Sequence, residues 1–472
     1  MNNMALVRFL VIHRRRFVCG GLLMALAIGL PLRVRGAETP PLGVGLAVRD
    51  ITPQLPIWLA GYAARNRPAD KVDHPLLTQA VAFRNASGER FVLAALDNCE
   101  VNHAFNEPVL QAFQDKLGLK PGEVMIVGSH THSAPVLEKA LEGMYPLKDA
   151  DKEKVRQYSQ FLREKLVEVV GAALADVQPA TLEQGLGRAT FAMNRRVYRE
   201  DQMAFGENPD APVDWEVPVL RIRSADTNRT VRAVLFGYAC HGTCIQGDDW
   251  YIVCGDYMAY ARQHLEALLP GTMAVYLPGM GADSNPSPRG WLMDAKRHGL
   301  ELAGAVMAVL NRPMRPVAGP LRLAYDEVEL PLEAPPTPEQ IEKDAQGQDV
   351  YLRNRATRYL ELLKAGKPLP TVRLPLAAIR FGDDLTMLAM GGEVVVDYAR
   401  KFKRLFAADH PWTVGYAYEV PCYIPSVRIL KEGGYEAQSS LIYYGLYGPF
   451  RTRIEDILVK RMTELVSRAR SR

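Results

Sequence analysis

The chain has little long-range hydrophobicity. Its longest apolar run, Phe17 to Leu32, spans 16 residues and is interrupted by glycines and Pro31. A membrane-spanning helix needs about 20 apolar residues, so this run is short for a span and right for the core of an export signal. The first 37 residues also lack any acid, while Arg8, Arg14, Arg15, Arg16, Arg33 and Arg35 supply six positive charges. The small Gly36-Ala37 step then marks a cleavage point, giving a signal over 1–37 and one domain over 38–472. The Arg14-Arg15-Arg16-Phe17-Val18 stretch has the look of a twin-arginine signal, which exports a folded chain. An uncleaved signal anchoring the protein in a membrane is the alternative. Cys19 lies at the front of the apolar run rather than behind it, which argues against a lipidated anchor.

Other absences narrow the function. Removing the six signal arginines from 57 basic residues leaves 51 against 53 acids, so the mature chain carries a formal charge near −2. With no basic run interleaved with aromatics, nucleic acid is excluded as a partner. Five cysteines remain, Cys99, Cys240, Cys244, Cys254 and Cys422, so at least one stays unpaired. A chain this long buries its core without disulfide staples, and small buried cysteines are ordinary core residues. No Ser/Gly-rich or charge-block linker and no sequence repeat is found, which points to one continuous unit.

What is present alternates strand and helix. Strands are expected at 43–48, 81–83 and 91–96, the last two paired across the Ala86-Ser87-Gly88-Glu89 turn, and then from Val124, in a strand-like run that ends in the small-residue loop of 124–135. Further strands are read at 181–193, 219–223, 231–239, 273–277, 385–390 and 412–418. Helices are expected at 108–117, 151–176, 256–269 with Asp256 as N-cap, 300–311, 393–406 and 454–468. The turn-rich stretch 278–288 reads as a shaped loop, and 335–370 as a polar, helix-rich surface excursion. The fold class expected is α/β, with mixed sheets flanked by helices in a single large domain.

Four of these strands end in a small-residue turn followed by a residue capable of chemistry: His130, His241, Asp283 and Glu393. Loops outside strand ends gather side chains from distant parts of a chain. In Val124-Met-Ile-Val-Gly-Ser-His-Thr-His-Ser-Ala-Pro135, His130 and His132 sit at i and i+2, which an extended chain turns to one face. Two imidazoles fill half of a tetrahedral zinc shell; the remaining ligands must come from elsewhere. Hydrogen-bonded loop histidines are the plainer reading.

The pieces Gly45 to Pro53, Ala60-Gly61-Tyr62, Gly128 to Pro135, Ala239-Cys240-His241, Gly392-Glu393 and Tyr435-Glu436-Ala437 stand in one order. Taken together they resemble the neutral (alkaline, non-lysosomal) ceramidase family over most of the mature length. The resemblance implies one zinc held by His130, His241, Glu393 and Tyr435, with His132 facing substrate. It places Arg195, of the Asn194-Arg195 pair, in the active site and gives Tyr444 and Tyr447 substrate contacts. Two departures accompany it. Ala282-Asp283-Ser284-Asn285-Pro286 puts Asn285 where family members carry a catalytic serine, and no segment resembling the C-terminal β-sandwich of longer members follows the helix that begins at Ile454.

The expected activity is exported, zinc-dependent hydrolysis of an amide, most economically of a ceramide-like N-acyl lipid. In it His132 exchanges protons while Arg195, Tyr444 and the Asn285 amide donate to the oxyanion. Asp283 is counted with His132, Asn285 and Arg195 among the catalytic residues. The alternatives are a zinc hydrolase of another amide or an ester, and a metal-stabilised binding protein on the same scaffold. The partner expected is a small-molecule or lipid amide, with peripheral membrane contact left open and no protein partner inferable.

Overall fold

The computed structural model describes residues 42–141 and 143–471. The signal read over 1–37 lies outside the described residues. The largest sheet has nine strands. In spatial order they are Met273–Pro278, Val231–Tyr238, Glu216–Ser224, Gln178–Arg188, Leu42–Asp50, Leu77–Arg84, Arg90–Leu96 and Val124–Gly128, with Arg315–Val317 pairing on Gln178–Arg188. The two outermost pairs are parallel and the inner ones antiparallel, so the sheet is mixed.

A repeat that the sequence hides appears in this topology. Three antiparallel strands, a helix, a parallel strand and a longer helix occur in that order over 42–175 and again over 178–310. In both halves a helix carries the crossover to the parallel strand, as parallel pairing requires. The helices are His103–Leu117 and Asp256–Leu268.

Alternation sorts the strand residues between two cores. From Leu77–Arg84, Val81 and Phe83 face a second sheet, whereas Ala80 and Ala82 face helices. That second sheet runs Leu321–Leu330, Val372–Phe381, Leu385–Met390 and Pro411–Val414. Its Ala377, Ile379, Phe381 and Met387 share a core with Val81, Phe83 and Leu93. Its other face is covered by helices Val396–Leu405 and Ile454–Ser471 through Tyr398, Phe402, Leu458 and Met462. The result is four layers, helix on sheet on sheet on helix, which fits the α/β expectation.

Helix Asp149–Ala175 shows why the outer layer forms. Tyr158, Leu162, Leu166, Val169, Val170 and Ala173 recur at helical spacing and are buried against the nine-stranded sheet. Burying Leu162 or Leu166 fully contributes roughly 1.5–3 kcal/mol each. Truncating either to alanine would cost about 2–5 kcal/mol once the cavity is counted.

Several local expectations are corrected. The stretch read as one strand over 181–193 is two, Gln178–Arg188 and Ala192–Arg199, because the second leaves the main sheet to pair with Gln202–Asn208 and Ser284–Pro286. Residues 284–286 are therefore a short strand inside the stretch read as loop. The first helix starts at His103, five residues before Pro108; Asn102 caps it by accepting the Phe105 amide at 2.7 Å. Asp256 is not an N-cap: Gly255 holds that position, and the Asp256 carboxylate accepts the amides of Cys244 and Tyr257. The helix expected from residue 300 begins at Leu292, and residues 335–370 form two helices, Pro338–Gln346 and Val350–Lys364. No helix among the described residues is long and apolar enough to cross a membrane. The five cysteines of the described chain are all buried and free.

Candidate metal and active site

The loops behind the four strand ends converge because backbone hydrogen bonds tie each to the next, and three of their residues, His130, His241 and Glu393, meet; Asp283 turns away. The His132 amide donates to Gly242 at 3.0 Å, the His241 amide to Ser284 at 3.0 Å, and the Ala282 amide to Val394 at 3.1 Å. Thr131 and Gly242 pair as an isolated parallel bridge. A Cβ at Gly242 would stand 2.6 Å from the His130 carbonyl, so only glycine lets these loops meet.

The two histidines do point into one space, but not as an extended chain would place them. His130 has a φ of 63°, in the left-handed region. Its backbone turns there, and the imidazoles of His130 and His132 end with their Nε2 atoms 3.2 Å apart. Strain at a histidine that other contacts fix is characteristic of functional sites.

His130 Nδ1 donates to the Cys99 carbonyl at 2.8 Å, which leaves its Nε2 with a lone pair. That atom faces Glu393 Oε2 at 3.2 Å in a site closed to solvent. Two lone pairs set that close without a positive charge between them repel. His241 completes the group: its Nε2, 3.8 Å from the same carboxylate oxygen, donates to the Ala282 carbonyl at 2.8 Å, which leaves the lone pair on its buried Nδ1, an atom with no hydrogen-bond partner. Donor atoms around a tetrahedral zinc at 2.0–2.1 Å stand about 3.4 Å apart, close to the 3.2 Å between His130 Nε2 and Glu393 Oε2. His130, His241 and Glu393 therefore form a buried set able to hold a metal ion. Cys99, His130 and His132 form a second such group. It is the weaker one, since the His130 nitrogen near the thiol is already used and burial pushes the Cys99 thiol well up.

Electrostatics follow from burial and neighbours. Burial alone would raise Glu393, but His130 beside it, the Tyr444 hydroxyl and Arg195 hold the carboxyl below its usual range. Tyr444 donates to Glu393 Oε1 at 2.6 Å and lies 3.4 Å from Glu100. Burial, with Glu393 next, pushes Glu100 well above the carboxylate range. His132 is pushed well down by burial and by His130, Arg65, Arg195 and Arg289, so its imidazole is neutral.

Arg195 is almost wholly buried. Its Nε donates to Glu436 at 2.8 Å, Nη2 to the Tyr423 hydroxyl at 3.1 Å, and Nη1 to Asn285 at 3.3 Å. Asn285 sits between this guanidinium and that of Arg289, whose nitrogens come to 3.2 Å of the amide oxygen when the amide is turned toward them. Asp283 does not reach the histidines. Its carboxylate accepts the Val396 amide at 2.8 Å and the Asn194 side chain at 3.0 Å, fastening this loop to a helix start and to the strand carrying Arg195.

Two tyrosines make no hydrogen bond to the histidines or to Glu393, although burial, helped by nearby Glu393, pushes the Tyr435 hydroxyl up. Tyr435 packs on Phe205 and Tyr423, with the Arg195 guanidinium 5.6 Å from its ring centre. The hydroxyls that reach the cluster within 3.5 Å are those of Tyr444, of Tyr416, at 3.4 Å from Glu393, and of Tyr423, at 3.4 Å from His241. Tyr447 is part of the cluster made by helices Pro338–Gln346 and Val350–Lys364, its hydroxyl on Asp344 at 2.9 Å. Sequence reasoning missed Glu100, Tyr416, Tyr423, Arg289 and Glu436. Only Glu436 had a signal, its place beside Tyr435 in the Tyr-Glu-Ala stretch.

The model of the family described as neutral/alkaline non-lysosomal ceramidase, N-terminal, matches residues 42–277. Among solved structures, the neutral ceramidase from Pseudomonas aeruginosa is similar with a TM-score of 0.68 at 19% identity, over 92% of this chain and 75% of that one. A ceramidase complexed with C2 is similar with a TM-score of 0.66 at 18% identity, over 91% and 76% of the two chains. At these identities the likeness is one of fold. No curated protein matches the chain.

Proposed function

Because the chain belongs to the neutral/alkaline non-lysosomal ceramidase family, we propose that it is an exported, zinc-dependent hydrolase of N-acyl amides of the ceramide-like kind. The observation that carries this reading is the meeting of His130, His241 and Glu393 in one buried space, with a lone pair and a carboxylate facing each other. These three would hold the metal, and the resemblance supplies Tyr435 as a fourth ligand. Zinc bound there contributes Lewis acidity, which eases deprotonation of the attacking water and polarises the acyl carbonyl.

The chain's own groups do the rest. His132, neutral and 3.2 Å from His130, takes the proton from the water and returns it to the departing amine. The Asn285 amide, its oxygen held by Arg195 in one orientation and by Arg289 in the other, is the donor for the oxyanion, joined by the Tyr444 hydroxyl when it turns from Glu393; one such donor is typically worth about 3 kcal/mol. Asp283 acts as a positioning residue. It ties Asn285's loop to the Asn194-Arg195 strand, so both donors move as one body. With no hydroxyl at position 285, water is the nucleophile this arrangement serves.

The test is metal analysis of purified protein followed by an acyl-amide screen with and without chelator. The reading expects one zinc per chain and hydrolysis that chelator removes and zinc restores. Stoichiometric zinc with no cleavage of any amide or ester would favour the metal-stabilised binding protein instead.

A further inference from the structure

Beside the site lies a cavity of about 1000 Å³ whose inner wall includes Glu100 and Tyr444, and Tyr444 is the residue hydrogen-bonded to Glu393. Part of its wall is apolar, from Leu141, Val372, Val420 and Leu446. The rest is dominated by charge of one sign. Lys139, Lys152, Arg353, Arg355 and Arg358 line it, against the acids Glu100 and Glu361.

Two of these cations are committed to side-chain partners, and a third, Arg353, gives one guanidinium nitrogen to the Gly347 carbonyl at 3.1 Å. Lys152 meets Asp149 at 3.3 Å, and Arg355 lies 3.7 Å over the Tyr447 ring while donating to the Leu446 carbonyl. Lys139, Arg353 and Arg358 meet no carboxylate among the described residues within the 4.0 Å of an ion pair. Arg353 and Arg358 belong to helix Val350–Lys364, which is pinned over the cavity by Asn354 donating to the Gly143 carbonyl at 3.0 Å. A neutral lipid amide has no group for three such cations. An amide with a carboxylate at one end offers charge to them and alkyl surface to the apolar wall.

Resting on the hydrolase reading, we propose that this cavity receives the carboxylate-bearing part of an N-acyl amide substrate, with Lys139, Arg353 and Arg358 as its charge partners. Specificity here is for anionic acyl amides over neutral ones. A guanidinium pair suits a carboxylate because each presents a planar fork of donors.

The experiment compares three zinc-loaded hydrolyses: N-lauroylglycine, the monoethanolamide of dodecanedioic acid, and neutral N-lauroylethanolamine. These put the carboxylate on the amine part, on the acyl end, or nowhere. One or both anionic amides should be preferred in kcat/KM by about tenfold or more, with the gap narrowing at high salt because the cations stand at a solvated mouth. The one preferred assigns the end that enters. In the Arg353→Ala/Arg358→Ala variant the gap should close while N-lauroylethanolamine turnover stays within about twofold and zinc content is unchanged. Equal rates on all three substrates, or a gap that survives the double substitution, overturns the proposal. Calorimetric binding of the same amides to both proteins separates this from failure of the hydrolase reading. If nothing is cleaved but the anionic amides bind wild type more tightly than the variant, the cavity assignment holds and the hydrolase reading falls; equal binding overturns the cavity assignment as well.

Discussion

His130 Nε2 lies 3.2 Å from Glu393 Oε2, with both side chains almost fully buried and the other imidazole nitrogen donated to the Cys99 carbonyl. A ring nitrogen facing a carboxylate at that distance is satisfied by a positive charge, which a metal ion supplies when it takes the place of the ring proton. His130→Ala and His241→Ala should each abolish stoichiometric zinc, since losing one of three converging donors leaves too few. Elemental analysis of the purified variants checks this, and a full equivalent of zinc in both would sink the site.

Glu393→Gln should impair zinc binding more than His132→Ala does, because the first removes the site's anionic ligand and the second a proton-handling group. Activity should fall in both. Equal loss of zinc would mean that the pair of imidazoles whose Nε2 atoms stand 3.2 Å apart chelates together.

Asn285→Ala should lower turnover by about 10² to 10³ and leave zinc in place, as removal of an oxyanion donor does. Asn285→Ser should broaden activity toward ceramide-like amides by restoring a hydroxyl at that position. Steady-state kinetics on an acyl-amide panel decides it, and full activity in Asn285→Ala would remove this residue from the mechanism.

Burial pushes the Asp283 carboxyl up to about 6. A folded value above the unfolded one of about 3.9 means that its stabilising contribution is fully present below pH about 3.9 and is lost as pH rises through about 6. Between those limits wild type should lose on the order of 3 kcal/mol relative to Asp283→Asn, because the shift spans about two pKa units. Denaturant melts of both proteins across this range give the difference, and parallel stability curves would contradict it.

Gly61 has a φ of 93°, and a Cβ there would stand 2.2 Å from His132 Nδ1. Gly61→Ala should therefore displace the His132 imidazole and reduce turnover by an order of magnitude or more while zinc is retained, since misplacing a catalytic group by about 1 Å can cost about 10²-fold. Unaltered turnover would show that His132 is free to move without consequence.

The sequence by itself determined the elements and where the chemistry stands along them. Apolar strands ending at Gly128, Tyr238, Pro278 and Met390 are legible because a buried strand needs a short apolar run, and the small residues behind them mark the turns where His130, His241, Asp283 and Glu393 lie. The order of short motifs was enough for the family. What only the tertiary structure decided is which atoms face one another. A φ of 63° at His130, the parallel bridge from Thr131 to Gly242 and the amide bonds linking the loops are long-range consequences with no local signature. They turned Asp283 toward Val396 rather than the histidines and brought Tyr423 and Tyr416 to the cluster from segments with no motif of their own. Periodicity reports which face of an element is buried; the pairing of distant strand ends is set by the packing of two sheets, and a side chain's partner in such a site is known only once both sheets are in place.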